Sequence, residues 1–387
     1  MKKLKINTGR NKYDYTEIMI FIFVFTSNIS AIACFSEMES IQLLCKFVEL
    51  ILIMILGIQL LRLKLVQKEV LTIIILLSIF TIVLLESKTI VFILSILLYI
   101  SSKDVDFKDV TNLIWKAYLL LIVFSFILYF FGISDGGISR TYSSIRAAKA
   151  YGFTNANSGG YFFMMLFLSK MATDAPKSIK RFHVSTKAIF NILLYIFSLF
   201  MCYNVFKCRT GFVTCVLAVV LLIFLKKIDF KKIFLKYLLC LVHPIVLIGT
   251  VILAEIYPTK IMIYLDRILT SRFFLNNYHL INNRLTFFGS DIDYSKYTLD
   301  SSYMSYLLQY GIVPSIIYVV VSALVILKAW KKRDGFIIAI ELAFLAYGFM
   351  ENGIFDMINN FSYLYLIIGN KMGYKSTNKE YSRYKGE

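Results

Sequence analysis

Apolar runs of about 17–25 residues, the length that crosses a hydrocarbon core, recur along the whole chain between short polar breaks. They lack the strict alternation of a barrel strand, so they read as helices, which satisfy their own backbone in lipid. Twelve can be marked, at 15–35, 42–61, 69–86, 88–101, 113–132, 157–173, 187–204, 210–226, 237–256, 302–327, 335–350 and 353–370. The run at 88–101 is short for a full crossing. The expected fold is all-α, a polytopic transmembrane helical bundle of about twelve spans, one integral membrane domain over residues 1–387. The first run ends in "SAIAC" at Cys34, close to a lipoprotein cleavage box. With so many spans following, it reads as an uncleaved signal anchor.

The polar breaks then give sidedness. With the N-terminus placed inside and the loops alternating, the inside segments hold 28 Lys and Arg and the outside segments 11. Cytoplasmic loops carry the basic excess in membrane proteins, so both termini are expected to be cytoplasmic. The two longest breaks then face outward. They are 257–301, a large loop before the tenth span, and 132–156, a second extracytoplasmic loop.

Composition agrees with this picture and changes one reading. The chain is 58% hydrophobic and 17% charged, with mean hydropathy +0.71. A net charge of +18 would suggest nucleic acid in a soluble domain. Here the inside loops account for it, and the expected partner is membrane lipid, with no nucleic acid. The six cysteines are scattered without CxxC or zinc spacing and read as small core residues.

Basic residues on the outer side are not explained by orientation. Arg140, Arg146, Arg209, Arg272 and Arg284 stand out among them, because guanidinium grips phosphate and diphosphate in a bidentate fork. Arg209 starts a span at headgroup level, where it either binds a lipid diphosphate or anchors the helix end. "YGFTNANSGG" (Tyr151–Gly160) leads into the sixth span; Asn155 and Asn157 there can cap the helix or bind sugar hydroxyls, and capping is favoured. His279 is the one histidine placed to meet an outer substrate, but a lone loop histidine is more often simply solvated. Asp291 and Asp293 form a D-x-D, a pattern too common to assign a metal. Asp300, at the start of the tenth span, can cap that helix, the favoured reading, or serve as a general base, and it can do both. Tyr303 follows it in "DSSYMSYLLQYG".

Four stretches carry a resemblance: "YGFTNANSGGYFF" (151–163), "CRTGFVTCVLAVVLLIFLKK" (208–227), "RLTFFGSD" (284–291) and "DSSYMSYLLQYGIVPSIIYV" (300–319). In order and sidedness the chain resembles the Wzy-type polymerases of O-antigen and capsular polysaccharide repeat units, in the group that includes the O-antigen ligases. The resemblance implies a metal-independent glycosyltransferase of the bacterial cytoplasmic membrane, acting at its outer face without a cofactor. It implies a substrate, an oligosaccharide on undecaprenyl diphosphate, and as partners a flippase and a chain-length regulator. Asp300, Arg209 and Arg284 then become catalytic candidates. Arg140, Arg146, Arg272, Asn155, Asn157, His279 and Tyr303 become substrate-binding candidates. Ligases of the group carry a His-Asn pair where this chain has Asp300-Ser301, which argues against a ligase. The polymerase spacing of Arg, ten residues and Gly is not met, since eleven residues separate Arg140 from Gly152.

A flippase is the main rival. It would need cations along a path inside the spans and short loops on both faces, whereas these spans are nearly charge-free and one outer loop is long. A membrane O-acyltransferase would place a His at its active face, and the only span histidine, His243, lies beside Pro244.

Overall fold

The computed structural model describes residues 14–62, 65, 67–88, 91–134, 138–140, 147–174, 186–294, 296–354 and 359–368. Within them the chain is helical, with one short antiparallel ribbon, β1 (Ile138–Arg140) on β2 (Ala147–Lys149). The first half holds α1 (Asp14–Ile29), α2 (Ala33–Ser36), α3 (Glu39–Arg62), α4 (Gln67–Ser87), α5 (Val91–Ser101), α6 (Phe107–Phe130) and α7 (Ala156–Asp174). Then come α8 (Thr186–Phe200), α9 (Arg209–Lys226), α10 (Ile233–Cys240), α11 (Val242–Glu255), α12 (Lys260–Ile268) and α13 (Arg272–Asn282). The last are α14 (Ser302–Ser305), α15 (Ile312–Lys331), α16 (Gly335–Met350) and α17 (Tyr365–Ile368).

Six described helices are long and apolar enough to cross a membrane, or seven if the bent pair α10 and α11 counts as one. Leu43 and Leu61 of α3, Leu85 of α4 and Phe224 of α9 are more than half exposed. Such a belt of bare apolar side chains suits lipid, not water. The protein is a multi-pass membrane protein.

The count falls below twelve for local reasons, and the expected run at 157–173 forms the 19-residue α7, which is not among the helices apolar enough to cross. Three expected runs form helices of 10–17 residues, Thr16–Ile29, Phe92–Ser101 and Gly335–Met350, and a rise of 1.5 Å per residue leaves these short of a core of about 30 Å. The expected last span, 353–370, contains in its described part only a 3-10 turn, Phe361–Leu364, and the four residues of α17. The run at 237–256 is bent by 40° between α10 and α11, with Pro244 in the first turn after the bend, where a missing N–H is tolerated. The termini, and with them their side of the membrane, lie outside the described residues.

α7 is the central helix. Phe162 to Leu168 are all buried, and α7 packs against both α6 and α9. A Cβ on Gly160 would overlap the side chain of Cys208, so glycine here lets α7 and α9 approach closely, as small residues do between membrane helices. The expected run at 302–327 is broken by Gly311, whose φ of 97° belongs to the left-handed half of the map that glycine adopts without strain. The break is stabilised from the long loop. Ile312 N–H donates to the Thr286 carbonyl (3.0 Å) and Val313 N–H to that of Phe287 (3.0 Å), which satisfies two orphan donors at the start of α15.

That loop, 257–301, is itself folded. It forms α12 and α13 and an extended return. Asp266 Oδ1 accepts the N–H groups of Phe273 (2.7 Å) and Phe274 (3.4 Å), capping α13 from the preceding helix. Burial pushes the Asp266 carboxyl above its ordinary value, against the pull of those two donors. Ile292 and Leu299 of the return pack with Ala254, Met304 and Leu308 in a small core of their own.

Candidate functional site

The starts of α7, α9 and α13, the loop 257–301 and the end of α16 meet at one end of the bundle. The residues that meet there are polar. Arg272 opens α13 and is 9% exposed, because α13 packs against α11 and turns this side chain inward. Its Nη2 lies 2.8 Å from Glu351 Oε1, and its Nη1 forms an ion pair with the Asp300 carboxylate. Thr210 Oγ1 donates to the same Glu351 oxygen at 3.1 Å. The Glu351 carbonyl accepts from Ser302 twice, from N–H at 3.2 Å and from Oγ at 2.6 Å. One guanidinium is thus held between two carboxylates drawn from two distant stretches of sequence.

The two carboxylates differ. The Asp300 side chain is 29% exposed and that of Glu351 only 13%. Burial pushes the Glu351 carboxyl above its ordinary value, opposed by Arg272 and Thr210. Arg272 Nε has no hydrogen-bond partner among the described residues. A charge so enclosed persists only with its counter-charges in place.

Of the residues singled out in the sequence, Asp300 and Arg272 belong to this cluster. Asp300 does not cap α14; the residue at the cap position is Ser301, whose side chain makes no capping bond. Arg209 and Arg284 are exposed at the same end, Arg209 immediately before Thr210. Asn155 Oδ1 accepts from Ser158 N–H at 2.8 Å and Ser158 Oγ at 3.1 Å, so it caps α7, while Asn157 is exposed in the first turn. His279 is buried and its Nε2 meets the Tyr297 carbonyl at 3.0 Å; burial pushes its imidazole below the ordinary value. Tyr303 faces the core, its hydroxyl donating to the Leu345 carbonyl at 3.0 Å and its ring edge-on to His243. Arg140 ends β1, paired with Ala147, and Arg146 lies outside the described residues. Asp291 of the D-x-D forms an exposed ion pair with Lys88.

Glu351 and Thr210 were not singled out by the sequence reading. The signal for Glu351 was there: it is a single carboxylate closing a long apolar run, on the side expected to face outward.

Comparison with family models, with curated proteins and with solved structures gives no match to this chain.

Proposed function

We propose that the chain is a polysaccharide polymerase of the bacterial cytoplasmic membrane, joining undecaprenyl-diphosphate-linked repeat units at the outer face. The observation that carries the reading is Arg272 clasped between Asp300 and Glu351, at the end where Arg209 and Arg284 stand exposed. A transferase of this kind needs cations for a diphosphate leaving group and a carboxylate for an acceptor hydroxyl, side by side at headgroup level.

In this reading the acceptor hydroxyl oxygen forms a bond to the anomeric carbon of the growing chain. The bond from that carbon to the diphosphate breaks, its electron pair leaves with phosphate, and the hydroxyl proton passes to a carboxylate. Asp300, the more open of the two, takes the proton. Arg209 and Arg284 stabilise the charge growing on the leaving diphosphate. Arg272 orients Asp300, and Glu351 with Thr210 holds Arg272.

Deleting the gene tests this. Loss of a polymerase leaves lipid bearing one repeat unit and no ladder of longer chains. Loss of a flippase traps the unit on the inner leaflet, and loss of a ligase leaves long chains on the lipid. Long lipid-linked chains in the deletion strain would refute the proposal. Sidedness is checked separately, with Asn282→Cys and Asp229→Cys in a cysteine-free background and an impermeant maleimide on intact cells. Only Asn282→Cys should be labelled.

A further inference from the structure

A second polar cluster lies deeper, inside the bundle. Glu341 of α16 is completely buried. Its Oε1 accepts from Ser322 Oγ of α15 at 2.5 Å. Its Oε2 accepts from Asn360 Nδ2 at 3.0 Å and from Ser362 Oγ at 2.5 Å. Asn360, Phe361, Ser362 and Tyr363 are all fully buried and are not part of any regular α-helix. Irregular backbone at membrane depth is tolerated only inside protein or around a cavity, so this segment needs polar partners from the helices around it, and Glu341 supplies them.

The adjacent residue carries the connection onward. Asn359 Oδ1 accepts from Tyr161 at 2.5 Å and from Tyr118 at 3.3 Å. Its Nδ2 donates to the Gly353 carbonyl at 2.7 Å. Gly353 lies two residues after Glu351, and Ile354 N–H donates to Ser302 Oγ, the hydroxyl that also holds the Glu351 carbonyl. The turn that presents Glu351 to Arg272 is thus tied at one side to Ser302 and at the other to Asn359, whose own segment is fixed by Glu341.

We infer that Glu341 is a positioning residue: through Asn360, Ser362 and Asn359 it fixes the turn that presents Glu351, and so sets where Arg272 and Asp300 stand. A carboxyl within a membrane helix is costly and usually marks function. A polar staple serving stability alone would be replaceable by well-packed apolar groups. The inference rests on the polymerase reading for its effect on rate, and on the geometry alone for its effect on the turn.

Glu341→Gln, in the purified full chain, separates the two. Gln offers one acceptor oxygen where two are used, so its amide faces the donors of Asn360 and Ser362 or of Ser322. Two quantities are measured: backbone hydrogen exchange, and polymer formed as a function of lipid-linked repeat-unit concentration. Exchange at 351–354 and 359–362 should quicken by about tenfold while that of α9 stays unchanged. Maximal rate per folded molecule should fall by about tenfold, with half-saturation held within about twofold. Ser362→Ala, which keeps the carboxylate, should move both readouts the same way by less, and it decides the matter if Glu341→Gln does not fold. Unchanged exchange in the turn overturns the inference. So does quickened exchange with an unchanged maximal rate, the behaviour of a stabilising staple. If the wild-type chain makes no polymer, the polymerase reading fails, and the exchange arm still decides whether Glu341 fixes the turn.

Discussion

Arg272 Nη2 lies 2.8 Å from Glu351 Oε1, joining the first residue of a helix in the long loop to the residue that follows α16. The loop is thereby fastened to the bundle by a buried charge pair, with Asp300 as the second counter-charge. Breaking such a pair from one side costs about 3–5 kcal/mol, because the other charge stays buried and uncompensated. Arg272→Ala should therefore lower melting temperature and membrane abundance together. Arg272→Lys keeps the charge but not the fork, so it should retain most of the abundance and lose the glycan ladder. A wild-type ladder from Arg272→Lys would remove this residue from the site.

Arg209 and Asp300 can be told apart by conservative changes. Exposed Arg209 either grips diphosphate or anchors a helix end. Lys anchors equally well, since it also snorkels to headgroups, but it lacks the fork. Arg209→Lys should shorten the ladder at normal abundance, and Arg209→Ala should abolish it, a loss of about 3–4 kcal/mol in the transition state. Asp300→Asn deletes the ion pair to Arg272 and, in the proposed mechanism, the base, so the ladder should vanish. If both Arg209→Lys and Asp300→Asn yield full-length ladders, neither residue takes part in the chemistry.

The helices were largely legible in the sequence, because a long apolar run has few alternatives in lipid. Their interruptions were less so. Gly311 ends one helix and Ile312 starts the next only because Thr286 and Phe287 of the distant loop supply carbonyls there. The site was legible in part. Side-chain type and expected sidedness marked Asp300 and Arg272, but nothing in the sequence says which of the arginines expected outside folds inward. That depends on α13 packing against α11, which buries Arg272; Arg209, at the start of α9, and Arg284, beyond the end of α13, are exposed. Tyr303 and His279 were drawn toward the substrate by their position in polar sequence, yet both make backbone hydrogen bonds in the interior. Glu351 reads in the sequence as a span boundary, and only the tertiary structure shows its partner.

Glu351 predicts two pH profiles of opposite slope. Its folded carboxyl is raised by burial above an ordinary value of about 4.3. A carboxyl raised on folding holds its proton more tightly in the folded chain. Its contribution to stability is thus fully present below the ordinary value and is lost as pH rises through the raised one. Activity runs the other way. Protonated Glu351 no longer holds Arg272 as a charge partner and leaves Asp300 to balance the guanidinium, so the rate should fall on acidification through the same raised value. Melting temperature and initial rate, followed on the purified protein across the acid range, should show this crossing, and Glu351→Gln should flatten its part of both. An acid limb at the ordinary carboxylate value would show that Glu351 does not control the rate.

The two asparagines before α7 permit a sharper division. Asn155 caps the helix through Ser158 N–H, whereas Asn157 is an exposed residue within its first turn. Replacing a capping Asn by Ala costs about 1 kcal/mol, and Ser in the same place restores most of it. α7 is the buried centre of the bundle, so the loss should be visible in global melting. If Asn155 only caps, Asn155→Ala should lower the melting temperature while the rate per folded molecule stays at the wild-type level, and Asn155→Ser should recover the stability. Asn157→Ala should leave stability at or slightly above the wild-type level, since Ala is the better helix former. Any fall in its rate would then reflect lost contact with a sugar. A rate lost in Asn155→Ala and not regained in Asn155→Ser, at restored stability, would mean that the Asn155 carboxamide contacts the substrate as well as the helix.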